Sequence, residues 1–312
     1  MLTALLIPLA LATLLYAAML LRSAIVRRSL AVRAEAVVLG AITNFFDTLG
    51  IGSFAPTMAW LKMRRMVPDR LIPSTMLVGH TLPTMTQAVI FLVLLGVGVD
   101  PVLLVGCVSA VLMGGLLGAP LVARARVWIV QLAVAIALLI AALLYALTNL
   151  QLMPGGGTAG SLPLTLTVIA IAANFVLGIL LNFGIGNYAP TLVMLSLMGM
   201  DPRLCFPIMA AGAGMTMAGA SIRHISLAQI DLRVTLGIAL GGIPAVLVAA
   251  FIVKEMPLEM LRWLVIVVVL YAAIVMLRAA AVGRRAGGEG EAEEAYATDV
   301  VGRPETPDKP GA

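Results

Sequence analysis

Charge is scarce in this sequence: 11% of its 312 residues are Asp, Glu, Lys or Arg, against 62% hydrophobic. A water-soluble fold at that composition lacks the polar side chains to cover its surface, which excludes a soluble enzyme or binding module and leaves an integral membrane protein. Cysteine is nearly absent too, and Cys107 and Cys205 stand in separate segments with the spacing of neither a disulfide framework nor a metal site. No cofactor or metal is expected. Neither of the two broken motifs in its apolar runs contains a Lys or Arg, and no nucleotide-binding loop occurs, so any uphill work would draw on an ion gradient rather than ATP. The pI of about 9.6 is no nucleic-acid footprint either, because the basic residues sit in short loops between apolar segments.

What the chain has in quantity is apolar segments long enough to cross roughly 30 Å of hydrocarbon. Spanning helices are expected at about 2–21, 72–98, 101–122, 127–148, 207–222, 233–253 and 261–280. The first lacks a basic start and a small-residue cleavage site, and reads as a retained transmembrane helix. Residues 35–66 and 163–199 are apolar but interrupted. In the first, Gly50-Ile51-Gly52-Ser53-Phe54-Ala55-Pro56-Thr57 carries the break; the second repeats it, six letters of eight unchanged and 134 residues on, as Gly184-Ile185-Gly186-Asn187-Tyr188-Ala189-Pro190-Thr191. At the same offset Met66 falls on Met200, Pro68 on Pro202 and Pro73 on Pro207, and later Gly118-Ala119-Pro120 answers Gly242-Ile243-Pro244. Duplication of this kind is a known construction of secondary transporters.

Charge decides how the broken segments run. If both enter the membrane and return on the same side, with the N-terminus outside and the C-terminus cytoplasmic, seventeen of the twenty Lys and Arg residues are cytoplasmic. Only Arg203, Lys254 and Arg262 then lie outside. If both spanned, the better orientation would put nine inside and eleven outside. The expectation is therefore an all-α polytopic membrane protein of two inverted repeats, each a re-entrant broken-helix hairpin of ten-to-fifteen-residue half-helices plus three transmembrane helices, with one extra N-terminal helix. Its parts are an N-terminal helix and basic loop at 1–34, a first repeat at 35–148, a linker at 149–162, a second repeat at 163–281, and a disordered acidic tail at 282–312.

Ser53 and Asn187 are N-cap residue types, and the proline follows within the first turn, so each hairpin's second arm should begin as a helix aiming free amides at the break. Such N-termini bind anions without a buried cation. Gly50, Gly52, Ser53 and Phe54, with Gly184, Gly186, Asn187 and Tyr188, are the expected binding residues for a small anion. Close helix packing is the other use of such glycines. Asp47 is the only carboxylate inside an apolar run and a candidate for proton coupling, and His80, near mid-depth, either exchanges protons with it or donates a hydrogen bond across helices. Asn44, Asn182, Thr57 and Thr191 line the cavity or satisfy loose backbone groups. His224, beside Arg223, is expected to be a solvated boundary residue. A passive anion channel is the alternative reading; an intramembrane hydrolase using Ser53 and His80 is the remote one.

The duplicated halves, each opening with the glycine break and a following proline, and the late run Gly114-Gly115-Leu116-Leu117-Gly118-Ala119, resemble the TauE/SafE-type sulfite exporter family, also called the 4-toluene sulfonate uptake permease family. The resemblance covers roughly residues 35–280. It implies a bacterial cytoplasmic-membrane permease for sulfur-containing or organic anions such as sulfite, sulfonates or sulfoacetate. The chain departs from the family's pattern in its short Gly50-Ile51-Gly52 run and in Asp47 beside the break.

Overall fold

The apolar runs become helices, and Asp, Pro and Gly set their ends. A computed structural model describes residues 2–122, 126–152, 157–181, 186–227 and 230–285. The described residues form eleven helices and no strand: α1 (Leu2–Val26), α2 (Ala34–Thr48), α3 (Phe54–Met63), α4 (Ile72–Leu94), α5 (Pro101–Val122), α6 (Val127–Asn149), α7 (Leu164–Leu181), α8 (Tyr188–Leu197), α9 (Pro202–Ser226), α10 (Leu232–Glu255) and α11 (Leu258–Arg285). The protein is an all-helical, multi-pass membrane protein. Eight of these helices are long and apolar enough to cross a membrane. Seven were expected; the eighth is α7. At eighteen residues it rises about 27 Å, longer than the half-helix expected there.

Three boundaries differ for visible reasons. Gly96–Gly98 forms a 3-10 turn, so α4 stops at Leu94 instead of reaching 98. Asp201 accepts the Arg203 amide at 2.9 Å and Pro202 fits the first turn, so α9 begins at 202 rather than 207 and takes Pro207 inside it. At the far end, Arg284 lies 5.9 Å from the centroid of the Trp128 ring and Gly283 abuts the same side chain, which carries α11 past 281. His224 is buried in the last turn of α9 rather than solvated. Residues 286–312, most of the expected tail, and Pro154-Gly155-Gly156 of the linker lie outside the described residues.

Both broken segments double back. Glu35, in the first turn of α2, accepts hydrogen bonds from Arg64 Nε at 2.7 Å and from Trp60 Nε1 at 3.1 Å at the end of α3, and Arg33 donates to the Met66 carbonyl at 2.9 Å. The Glu35–Arg64 pair is exposed, so it stabilises little and mainly records which ends meet. In the second segment Ala159, shortly before α7, donates to the Gly199 carbonyl at 3.3 Å and accepts from the Asp201 amide at 3.0 Å, just after α8.

Helix α4 serves as a ruler between these two mouths. Near its start, Thr75 accepts from the Asp231 amide at 3.0 Å, which places the start of α10 with the first mouth. Past its end, the Asp100 amide donates to the Gly160 carbonyl at 2.8 Å, which places the second mouth there. The first mouth gathers Arg33, Lys62, Arg64, Arg65 and Arg70. Arg27, which donates to the Ile225 carbonyl at 2.7 Å, joins the end of α1 to the end of α9. The opposite end holds Arg203, Lys254 and Arg262.

Packing follows one exchange rule. Helix α2 lies against α10 and α7 against α5; α4 pairs with α9 and α6 with α11; α4 also meets α10 as α9 meets α5. Interchanging the five helices that follow α1 with the five after them maps these pairs onto each other. The closest pairs rest on glycine. A Cβ on Gly241 would run into the backbone of Val37, one on Gly40 into that of Ile238, one on Gly114 into that of Phe175, and one on Gly178 into that of Val111. The exchange is imperfect at the returning arms: α8 is largely buried, with α6 and α11 against it, whereas α3 leaves Trp60 and Met63 exposed.

Candidate site at the hairpin tips

Helix α2 ends in a Schellman motif. The Gly50 amide donates to the Asp47 carbonyl at 2.8 Å and the Ile51 amide to the Phe46 carbonyl at 3.0 Å, with Gly50 at φ +98°. The first glycine of the break is thus a helix stop, at a backbone angle that suits only glycine without strain. Gly52 also has a positive φ, +87°, but a Cβ there would meet nothing within 4 Å, so it borders open space. Gly186 borders open space among the described residues as well. Asn182 and Gly184 lie outside the described residues.

Ser53 and Asn187 occupy the N-cap positions of α3 and α8, yet neither side chain makes the capping hydrogen bond. The first backbone bonds into these helices, Thr57 N–H to the Ser53 carbonyl at 3.1 Å and Thr191 N–H to the Asn187 carbonyl at 3.0 Å, leave the preceding amides without a cap. Pro56 and Pro190 supply no donor and the Ser53 amide is turned to Asp47, so the amides left without a partner among the described residues are those of residues 54–55 and 187–189. The Asn187 side chain, instead of capping, donates through Nδ2 to the Met209 carbonyl on α9 at 3.5 Å.

Asp47 is buried in the last turn of α2, where the helix dipole disfavours a carboxylate. Across the break it faces the hydroxyl and backbone N–H of Ser53 at the start of α3. The Tyr188 hydroxyl, at the start of α8, lies in electrostatic reach of the same carboxyl. A Cβ on Gly50 would sit 3.9 Å from Leu192 of α8. The first break and the start of the second return arm therefore converge.

A second polar group lies one turn back along α2. His80 of α4 bonds Asn44 Oδ1 through Nδ1 at 3.0 Å and Thr57 Oγ1 through Nε2 at 2.9 Å. Asn44 Nδ2 donates to the Gly40 carbonyl at 2.7 Å, which leaves Oδ1 as acceptor. His80 Nδ1 is therefore the donor, and Nε2 accepts from Thr57. One imidazole joins both arms of the first hairpin to α4, and Phe54 sits against it at 5.6 Å between ring centroids. The second hairpin has a thinner version: Thr191 donates to Asn174 Oδ1 at 3.4 Å, with no histidine, since Gly214 stands where the repeat would put one.

The clamp makes a stability prediction. His80→Ala removes a fully buried ring and leaves Asn44 Oδ1 and Thr57 unpartnered, which is expected to cost about 2–4 kcal/mol. Thermal unfolding in detergent checks it; an unchanged melting temperature would show that the clamp carries no stability. His80 having both nitrogens engaged also bears on the hydrolase reading, because a nucleophile needs a paired base and Ser53 is not bonded to this one.

The structure thus brings Asp47, Ser53 and Tyr188 together, sets Asn44, Thr57, Phe54 and His80 in a neighbouring cluster, and directs Asn187 and Thr191 to α9 and α7. It adds Asn174 to the residues legible in the sequence and picks Gln87 out of the polar run Thr81, Thr84, Thr86 and Gln87, any of which could face the cavity. Asn174 takes the part in the second hairpin that Asn44 has in the first. Gln87 of α4 is fully buried, lies beside the Tyr188 hydroxyl, and has neither amide atom hydrogen-bonded.

No curated protein and no solved structure matches the chain. Residues 166–304, from the first arm of the second hairpin onwards, match the family model described as sulfite exporter TauE/SafE, which supports the family resemblance drawn from the repeated breaks.

Proposed function

We propose that the protein is a secondary permease for a small oxyanion of the sulfite, sulfonate or sulfoacetate class, working by alternating access at the paired hairpin tips and coupled to protons through Asp47. The observation that carries this reading is the convergence of the first break, with its uncapped α3 amides, on the start of α8, from mouths at opposite ends of α4. Two hairpins entering from opposite faces make the halves an inverted pair. Rocking one half against the other then exposes one shared site to each side in turn. Helix N-termini supply donors for an anion where no Lys or Arg is present. The arginine-rich mouth faces the cytoplasm on the positive-inside rule, which puts the N-terminus outside and the C-terminus inside. In a bacterial cell this is the cytoplasmic membrane.

Purified protein in liposomes is expected to accumulate labelled sulfite, methanesulfonate or sulfoacetate above its external concentration when a pH gradient is imposed. Equilibration without accumulation would identify a passive channel. Failure to move any of the three overturns the reading.

A further inference from the structure

We propose that Gln87 and the Tyr188 hydroxyl are the hydrogen-bonding pair that grips the transported oxyanion between the hairpin tips. This deepens the permease reading and rests on it. Gln87 is fully buried and Tyr188 nearly so; the Tyr188 hydroxyl lies close enough to the Gln87 amide to interact with it, yet neither that hydroxyl nor either Gln87 amide atom completes a well-formed hydrogen bond. Protein interiors satisfy their buried polar groups, so three such atoms on two adjacent side chains mark the place of a missing partner.

Their position selects what that partner is. Gln87 lies seven residues beyond His80, on the same face of α4, so the helix that clamps the first hairpin also carries the amide at its tip. Tyr188 opens α8, with its hydroxyl beside the Gln87 amide and in electrostatic reach of Asp47. The two side chains offer three N–H or O–H donors, and the uncapped amides of α3 and α8 add more, with no cation among them. A small anion bearing several acceptor oxygens fits such a cradle, held by neutral donors. The remaining acceptors, Gln87 Oε1 and Asp47, favour a ligand or site that carries a proton along with the anion.

Gln87→Leu separates this role from packing. If Gln87 only fills space, leucine removes two unsatisfied polar atoms, raises the melting temperature and leaves ligand binding alone. If it grips the anion, the variant folds at least as well, but the rise in melting temperature caused by sulfite or methanesulfonate disappears, an affinity loss of roughly tenfold or more. Tyr188→Phe, which keeps the ring, is expected to do the same, and Gln87→Glu, isosteric but negative, to do so more severely. Stabilisation by either anion retained in both Gln87→Leu and Tyr188→Phe overturns the assignment and leaves the permease reading standing. Absence of any shift, and of transport, in the parent protein overturns both.

Discussion

Asp47→Asn protein in liposomes is expected to keep exchanging labelled anion across the membrane while losing accumulation driven by a pH gradient. Asp100, Asp201 and Asp231 each accept backbone amides at the start of a helix, where a carboxylate is welcome. Asp47 is at the wrong end of α2 for that purpose, buried, and directed at the break. Asparagine keeps its size and a hydrogen-bonding oxygen but cannot take up a proton. A monoanion carried with one proton crosses as a neutral complex, so each unit of pH difference is worth about 1.4 kcal/mol, or roughly tenfold accumulation. The variant's steady-state ratio should fall to about one at every imposed gradient, with exchange of internal for external label preserved. Accumulation equal to that of the parent would remove Asp47 from the coupling step.

Gly241→Leu is expected to abolish the folded protein. A Cβ at 241 would overlap the carbonyl group of Val37 and crowd the Ala41 amide, and backbone cannot shift aside as a side-chain tip can. Overpacking that forces two helices apart costs about 3 kcal/mol or more. Gly114→Leu, against Phe175, should behave alike at the corresponding crossing of the other half. Gly219→Ala is the control, since a Cβ there meets nothing within 4 Å. Size-exclusion profiles and melting curves of the three variants decide the matter. A Gly241→Leu protein that elutes and melts like its parent would show that α2 and α10 do not touch at this point.

Much of the architecture can be read from local pattern, because its causes are local. A positive-φ glycine ends α2, aspartate and proline start α5 and α9, and the crowding of arginine beside one set of helix ends tells which ends lie together. The pairing of α2 with α10 is different. It joins residues nearly two hundred positions apart, and Gly40 and Gly241 look like any of the thirty glycines in the chain. The N-caps show a limit of another kind: Ser53 and Asn187 stand where a cap belongs but do not act as one, since residue type specifies position better than hydrogen bonding.

Gln87 was harder to single out, being one of four polar residues at 81–87. The signal lies in side-chain reach. Thr81 and Thr86 turn back on the Leu77 and Leu82 carbonyls at 2.7 and 2.8 Å, as threonine in a helix can. Glutamine has no such local escape, so a buried one depends on a partner elsewhere. For His80 the sequence left proton exchange and a helix-to-helix bond equally open. The bonds to Asn44 and Thr57 depend on three separate segments meeting, which no spacing announces.

The exchanged pairing of α2 with α10 and α7 with α5 is even-handed in space but not in time. When α7 emerges from the ribosome, its partner α5 has already been made. Helix α2 ends at Thr48 and α10 begins at Leu232, 184 positions later, so that much chain must be made before α2 meets the surface that will cover it. At about 5–20 residues per second that is a wait of roughly 10–40 s. Through that interval the face of α2 bearing Val37, Gly40 and Ala41 must wait without its cover. The first half is therefore an unfinished intermediate until the tenth helix arrives, and the second hairpin docks onto a surface already waiting for it.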